Sequence, residues 1–504
     1  MSQLNKTFLR QEDRERYEAV QAGKITVLQI GEGNFLRGFA DWMLQVCHKQ
    51  GLFGGGVAVT QPRPGGKPKI DALAKQDGLY TLVIRGLENG AAVERKEVVT
   101  VFAKAFDPYS EWEALVQLAE SKDLRFVVSN TTEAGLAYRP EPLQEGQPIQ
   151  SYPGKLAYLL YRRFLAFEGA SGSGLICLPC ELLERNGDEL KACVLRYSED
   201  WGFPQAFKDW VEQDNRFLNS LVDRIVTGYP DEQQAQQWFA EWGYEDPMLT
   251  TAEPYHFWAI EAEPELHEQL PLRRAGLNVH FVEDLKPFQL RKVRILNGAH
   301  TLMTPLALVH GLEQVREVME HAEFGPYVRE AVEMEIIPAL PLPEDELKDY
   351  AAAVYERFLN PFIRHRLADI AMNSISKFKV RLLPSLLDYA DRGQPVPARL
   401  VRAFAGLLRY YKVESDGAGA YTGTDLLGTV YTVRDDAGAL AALAAAWAFE
   451  DAGQGSAAAA GSAHAQAERL LALSELWGRD LQAVPGLVEA VASQLEELER
   501  GAHE

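Results

Sequence analysis

Apolar positions in the first 130 residues come in short runs divided by helical spacings. Ile25 to Ile30 (ITVLQI) is rich in β-branched residues and stops at Gly31. Phe35, Phe39, Trp42, Met43 and Val46 then follow at helical intervals, predicting a helix from Phe35 to His48. Val57 to Thr60 reads as a second strand, closed by the turn-rich QPRPGGKP. Leu79 to Ile84, Val98 to Phe102 and Arg125 to Val128 are further strands, and Gly174 to Leu178 continues the series. Strands alternating with helices predict a parallel sheet covered on both faces, a Rossmann-like α/β domain over residues 1–284. From residue 285 the pattern turns helical. Val293 to His310, Leu312 to His321, Tyr327 to Ile337, Glu344 to Phe358, Ile363 to Ile375, Leu400 to Tyr411, Leu440 to Phe449 and Ala465 to Trp477 all carry helical spacing. Residues 285–504 are therefore expected to be a mostly helical domain, with Asp451 to Ser462 as a small-residue linker.

The junction of the first strand and first helix reads Gly31-Glu32-Gly33-Asn34-Phe35-Leu36-Arg37. Glycines there let a backbone approach a pyrophosphate, and the following helix start offers unpaired N–H groups. The third glycine of the usual pattern is replaced by Leu36, and a GxG also occurs in methyltransferases and plain turns. The acid that commonly ends the second strand and holds the ribose is absent, since the chain reads Thr60-Gln61-Pro62-Arg63. Gln61 can bond a ribose and Arg63 can meet a 2′-phosphate, so this end leaves NAD and NADP both open.

Charge narrows the partners. Lys and Arg total 51 against 72 Asp and Glu, a formal net charge of −21. Such a surface repels phosphate backbones and argues against nucleic acid, while a local cationic cluster still accommodates a small anion. No apolar h-region follows the basic N-terminal residues, and the Ala-rich Gly438 to Phe449 is too short to span a bilayer. Four cysteines are too few for a disulfide scaffold, so the expected location is the cytoplasm, with no membrane partner.

Chemistry concentrates in Lys292-Val-Arg-Ile-Leu-Asn297-Gly-Ala-His300. With Lys292 at 0° and about 100° per residue, Asn297 falls at about 140° and His300 at about 80°. All three share one side of a helix with Val293 and Leu296. Three polar side chains on a semi-apolar face need partners, because each unsatisfied buried group costs about 1–3 kcal/mol. The set suits carbonyl reduction. A desolvated Lys292 ammonium, with Arg291 and Arg294 near it, acts as general acid and, in reverse, as base. Asn297 and His300 supply donors to the developing alkoxide, and no metal is required.

These residues resemble the polyol-specific long-chain dehydrogenases, the group of mannitol dehydrogenases and hexuronate reductases. Its G-x-G-x-F-x-R turn is matched at Gly31, Gly33, Phe35 and Arg37, and its K-x-x-x-x-N-x-x-H at Lys292, Asn297 and His300. GEGNFLRGF, SNTTEAGL, LPCELLERNG, EPYHFWAIE, NPFIRH and NSISKFKVR carry a finer likeness to the tagaturonate-reducing branch, over roughly residues 25 to 381. The resemblance implies an NAD-dependent, metal-independent oxidoreductase interconverting D-tagaturonate and D-altronate; fructuronate and fructose are the alternative substrates. It also implies an active site between the domains. Gly31, Gly33, Asn34, Phe35, Leu36 and Arg37 would hold NAD, Asn130 and Thr131 would flank the nicotinamide, and Glu133 would meet the substrate. Where the mannitol branch has an acid three residues before the lysine, this chain has Gln289, so no proton relay is carried over.

Two smaller signals remain. Cys177-Leu-Pro-Cys180 follows a buried-looking strand and reads as packing rather than as a metal or redox site. Glu181 and Asn186, just past that strand, are candidate substrate contacts. The basic stretch Asn360 to Arg381 holds Arg364, His365, Lys377, Lys379 and Arg381. Its plain reading is a solvated face. Its functional reading is a grip on a substrate carboxylate, with Arg364 and Lys377 preferred.

Overall fold

The computed structural model describes residues 1–144, 146–448 and 458–501. The chain divides into two compact units, Met1–Gly86 with Ala92–Lys286, and Leu87–Ala91 with Pro287–Glu504.

The first unit is built on six parallel strands: β1 (Ile25–Ile30), β2 (Gly56–Thr60), β3 (Phe102–Ala105), β4 (Phe126–Ser129), β5 (Ile176–Pro179) and β6 (Arg216–Phe217). Their spatial order is β3-β2-β1-β4-β5-β6, the doubly wound Rossmann arrangement. Strand alternation explains the two covered faces. Val27, Val57, Val59 and Val128 pack with Phe39, Met43 and Cys47 on one side. Leu28, Ile30, Ala58 and Val127 pack with Leu156, Leu160 and Val194 on the other. Each buried Val, Leu, Ile, Phe or Met among them contributes about 1.5–3 kcal/mol. Cys177 and Cys180 are buried free thiols in this packing.

Three expectations change here. The predicted helix Phe35–His48 is two helices, α1 (Asn34–Arg37) and α2 (Ala40–Lys49). The break falls at Gly38, where a Cβ would lie 2.8 Å from Val226. The run at Leu79 is a strand, Tyr80–Glu88, but it pairs with Thr250–Ala252 in a separate four-stranded sheet. An apolar run marks a strand without naming its neighbour. The single strand expected at Val98–Phe102 is split between Ala91–Val99 and β3.

The second unit is mainly helical. A π-helical turn at Lys292–Leu296 runs into α3 (Asn297–Val309), and α4 (Glu344–Phe358), α5 (Ser374–Arg381) and α6 (Ala398–Tyr410) follow. The expected helix Ile363–Ile375 is instead the short helix Leu367–Ile370 and the start of α5, divided at Asn373, which turns left-handed at φ +56°. A three-stranded antiparallel sheet at Val413–Ser415, Tyr421–Thr424 and Val430–Val433 was not anticipated, its strands being too short to show alternation. In the expected linker, residues 451–457 lie outside the described residues, and a helix begins at Ala458. No helix among the described residues is long and apolar enough to cross a membrane.

Candidate active site

In the first unit, β1 and β4 pair in register to Ile30 and Ser129, and the glycine turn leaves the sheet at this point of reversed strand order. Gly31 has φ +131°, and a Cβ on it would meet the Asn130 carbonyl at 2.8 Å. Only glycine fits there. Gly33, by contrast, faces open space: a Cβ on it would meet nothing within 4 Å. The first N–H groups after it, at Asn34, Phe35 and Leu36, have no intrahelical acceptor.

The side chains of this turn point inward. Phe35 stacks on Phe39 with ring centroids 4.9 Å apart, and Leu36 is buried. Arg37 is buried too, donating to the Glu32 carbonyl at 3.2 Å, to Asn34 Oδ1 at 2.6 Å and to the Met248 carbonyl. Expected among the residues that hold NAD, Arg37 has its guanidinium clamping the turn from behind, and Tyr80 closes the clamp by donating to the Arg37 carbonyl. Burial lowers its pKa.

The residues past β4 and β5 are braced against one another. Glu181 accepts from Ser129 Oγ, Thr131 N and Thr131 Oγ1 at 3.1, 2.9 and 3.0 Å, and its pKa is raised by burial against these bonds. Asn130 donates to the Cys180 carbonyl. Asn186 gives its amide hydrogens to Pro179, Glu181 and Ser220 carbonyls and accepts from Ser220 N. Glu181 and Asn186 were expected to touch substrate; both are committed to fixing the strand ends. Thr131 and Asn130 contribute backbone shape, while Glu133 is exposed on the short helix behind them.

A cavity of about 360 Å³ opens near the ends of β2 and β4, lined in part by Arg63, Thr131, Gly135, Glu141, Gln150 and Tyr152. Gln61 is buried and donates to Asp107 at 2.7 Å, while Arg63 is exposed. Sequence reading missed Lys155. Its ammonium lies among the Pro62, Ile149 and Gln150 carbonyls and the Tyr109 hydroxyl, at 2.6–3.1 Å, tying three loops of the cavity together. Burial pushes its pKa down to about 7. A lysine between the buried Tyr152 and Leu156 was the available signal.

In the second unit, the lysine helix departs from a uniform α-helix. The Asn297 N–H reaches the Lys292 carbonyl, an i→i+5 bond. Inserting one extra residue in the turn brings Asn297 closer beneath Lys292 than the 140° of an α-helix. π-turns concentrate at functional positions, and no spacing rule reveals one in a sequence. Lys292 is partly buried. Asn297 makes no side-chain hydrogen bond among the described residues, and its carbonyl accepts from Thr301 Oγ1 at 3.0 Å. His300 Nε2 is buried with no partner among the described residues. Its ring lies 4.4 Å from Phe358 and 4.7 Å from His365, centroid to centroid. Burial, then His365, Arg357, Arg381 and Lys377, holds its pKa well below the usual histidine value. The ring is therefore neutral at pH 7, with one nitrogen protonated and one not. Of the two arginines expected near Lys292, Arg291 lies over Tyr350 at 4.5 Å, and Arg294 donates to Ser385 Oγ.

The expected carboxylate grip is divided. Lys377 lies within reach of His300 electrostatically and donates to the Ile370 carbonyl at 2.8 Å. Arg364 is exposed. Arg381, partly buried, donates to Thr301 Oγ1 at 3.2 Å.

Residues 25–274 match the family described as the mannitol dehydrogenase Rossmann domain, and residues 284–499 match the mannitol dehydrogenase C-terminal domain. The chain belongs to the mannitol dehydrogenase family. Among curated relatives of this family member, altronate oxidoreductase of Bacillus subtilis is 41% identical over 93% of this chain and 92% of its own length. Those of Halalkalibacterium halodurans and Escherichia coli O1:K1 are 40% and 42% identical, over 98% and 95% of this chain and 95% of each relative. Solved structures share the family fold. Pseudomonas fluorescens mannitol 2-dehydrogenase, in a ternary complex with NAD and D-mannitol, has a TM-score of 0.63 at 21% identity. A substrate-free D-sorbitol dehydrogenase has a TM-score of 0.72 at 20% identity. Each covers 96% of this chain and 94% of the solved chain.

Proposed function

We propose that this chain is an NAD-dependent oxidoreductase that interconverts D-tagaturonate and D-altronate, a cytoplasmic reaction of hexuronate breakdown. Its near-full-length likeness to altronate oxidoreductases supports the substrate. The observation that carries the chemistry is the π-turned helix, which offers a lysine, an uncommitted asparagine amide and a buried, unpartnered histidine nitrogen.

The residues of the first unit fit a dinucleotide. Gly31 keeps side-chain bulk out of the turn, Gly33 leaves open space above it, and a cavity of about 360 Å³ opens past the ends of β2 and β4. The backbone from Gly31 to Leu36, with Asn130 and Thr131, would hold NAD, and Arg37 would keep that backbone in shape from behind. When bound, NADH supplies the hydride that reduces the ketone.

The second unit supplies the proton and the field. Lys292 gives its ammonium proton to the oxygen as the ketone becomes an alcohol, then regains a proton from solvent. In the oxidative direction the neutral amine removes the hydroxyl proton. Asn297 and the neutral His300 donate to the oxygen as charge gathers on it, a stabilisation typically worth about 10²–10³ in rate per donor. The surrounding cations favour both that charge and an anionic sugar acid.

A panel of NADH-oxidation assays with D-tagaturonate, D-fructuronate and D-fructose tests the reading. Turnover should be fastest with tagaturonate. Fastest turnover of fructose would reassign the chain to polyol oxidation, and no turnover of any of the three would remove the enzyme reading.

A further inference from the structure

Arg381 differs from five other arginines of the second unit. Arg316, Arg392, Arg399, Arg402 and Arg409 all pair with carboxylates, at 2.5–3.3 Å. Lys377 donates to the Ile370 carbonyl at 2.8 Å and feels the opposite charge of Asp435. Arg381 is partly buried, and its one hydrogen bond among the described residues goes to the neutral Thr301 hydroxyl. Burying a guanidinium without a counter-charge is costly, and its remaining N–H groups form a planar fork suited to a carboxylate. Thr301 follows His300 directly on α3, so the hydrogen bond holds the fork one residue from the buried, unpartnered His300 nitrogen. Two uncommitted polar groups of complementary use therefore share one region: a ring nitrogen for a sugar oxygen and a guanidinium for an anion.

We propose that Arg381 is the receptor for the substrate's carboxylate and the residue that makes the site select a sugar acid over a neutral ketose. This rests on the hexuronate reading above and sharpens it. Arg364 stays in solvent, and Lys377, which gives a hydrogen bond to the Ile370 carbonyl at 2.8 Å, adds to the field without being the anchor.

The test compares D-tagaturonate with D-tagatose, which carries CH₂OH in place of the carboxylate, by steady-state NADH oxidation. Arg381→Met should reduce the kcat/KM preference for tagaturonate over tagatose by about 30-fold or more, the usual consequence of truncating one partner of a hydrogen-bonded charge pair. Arg381→Lys should recover part of the preference, since it keeps the charge and loses the fork. Thr301→Val removes the internal hydrogen bond but leaves the guanidinium, so the preference should fall far less than in Arg381→Met. NADH binding, followed by fluorescence, reports that each variant is folded. An Arg381→Met enzyme that binds NADH and keeps the full preference overturns the assignment, as does a loss in Thr301→Val equal to that in Arg381→Met. Wild-type enzyme that uses tagatose as well as tagaturonate overturns instead the substrate reading beneath it.

Discussion

The two units use polar side chains in opposite ways. In the first, Arg37, Glu181, Asn186 and Lys155 spend their hydrogen bonds on backbone carbonyls, amides and neighbouring hydroxyls. They shape a surface on which glycine and bare backbone are left facing outward. In the second, Asn297, the Nε2 of His300 and most of the Arg381 fork remain without protein partners among the described residues. A dinucleotide is recognised largely through backbone and helix-start N–H groups, so the side chains beneath it are free to be scaffolding. A ketone turning into an alkoxide needs preorganised donors with no prior engagement. Perturbing the first unit should therefore cost stability or cofactor affinity, and perturbing the second should cost turnover.

The sharpest way to break this contrast lies within the glycine turn. Gly31→Ala places a methyl 2.8 Å from the Asn130 carbonyl at φ +131°. Strain of this kind costs about 1–3 kcal/mol, so thermal unfolding should begin several degrees lower and NADH binding should weaken. Gly33→Ala meets nothing within 4 Å and has φ −66°, so the melting temperature should hold while NADH binding weakens. Equal melting temperatures for the two variants would show that the turn is not under the constraint described.

A smaller, pH-dependent effect follows from Asp41 on α2. It is buried, accepts from Gln29 at 3.1 Å, and burial pushes its pKa up to about 8. The folded state thus keeps a proton that the unfolded chain releases near pH 4, so this group's contribution to stability falls as pH rises toward 8 and then levels off. Asp41→Asn removes the titration. Urea midpoints measured from pH 5 to 9 should show wild type losing ground to the variant up to about pH 8. Parallel curves would mean the carboxyl ionises normally.

Much of this architecture was legible in the residues. The strand Ile25–Ile30 and the helix Glu344–Phe358 were predicted to the residue, because a β-branched run ended at glycine and apolar residues kept helical spacing. The glycine turn and the lysine, asparagine and histidine spacing led to the same family that the two matched domains show. What the pattern hid was direction and partnership. Arg37 reads as a cofactor contact until its guanidinium is seen under the turn, and Glu181 and Asn186 read as substrate contacts until their hydrogen bonds are traced. The π-turn leaves no periodic signature, since one extra residue in a single turn is lost among ordinary helical variation. Arg364 and Arg381 are equivalent letters in a basic stretch; only burial separates them.

The most direct test is Lys292→Ala, assayed for tagaturonate turnover at neutral pH alongside NADH binding and thermal unfolding. The proposed proton transfer predicts that kcat falls by about 10²–10⁴ while NADH affinity and melting temperature change little. Turnover close to wild type would contradict it, because the ketone oxygen would then be acquiring its proton from elsewhere.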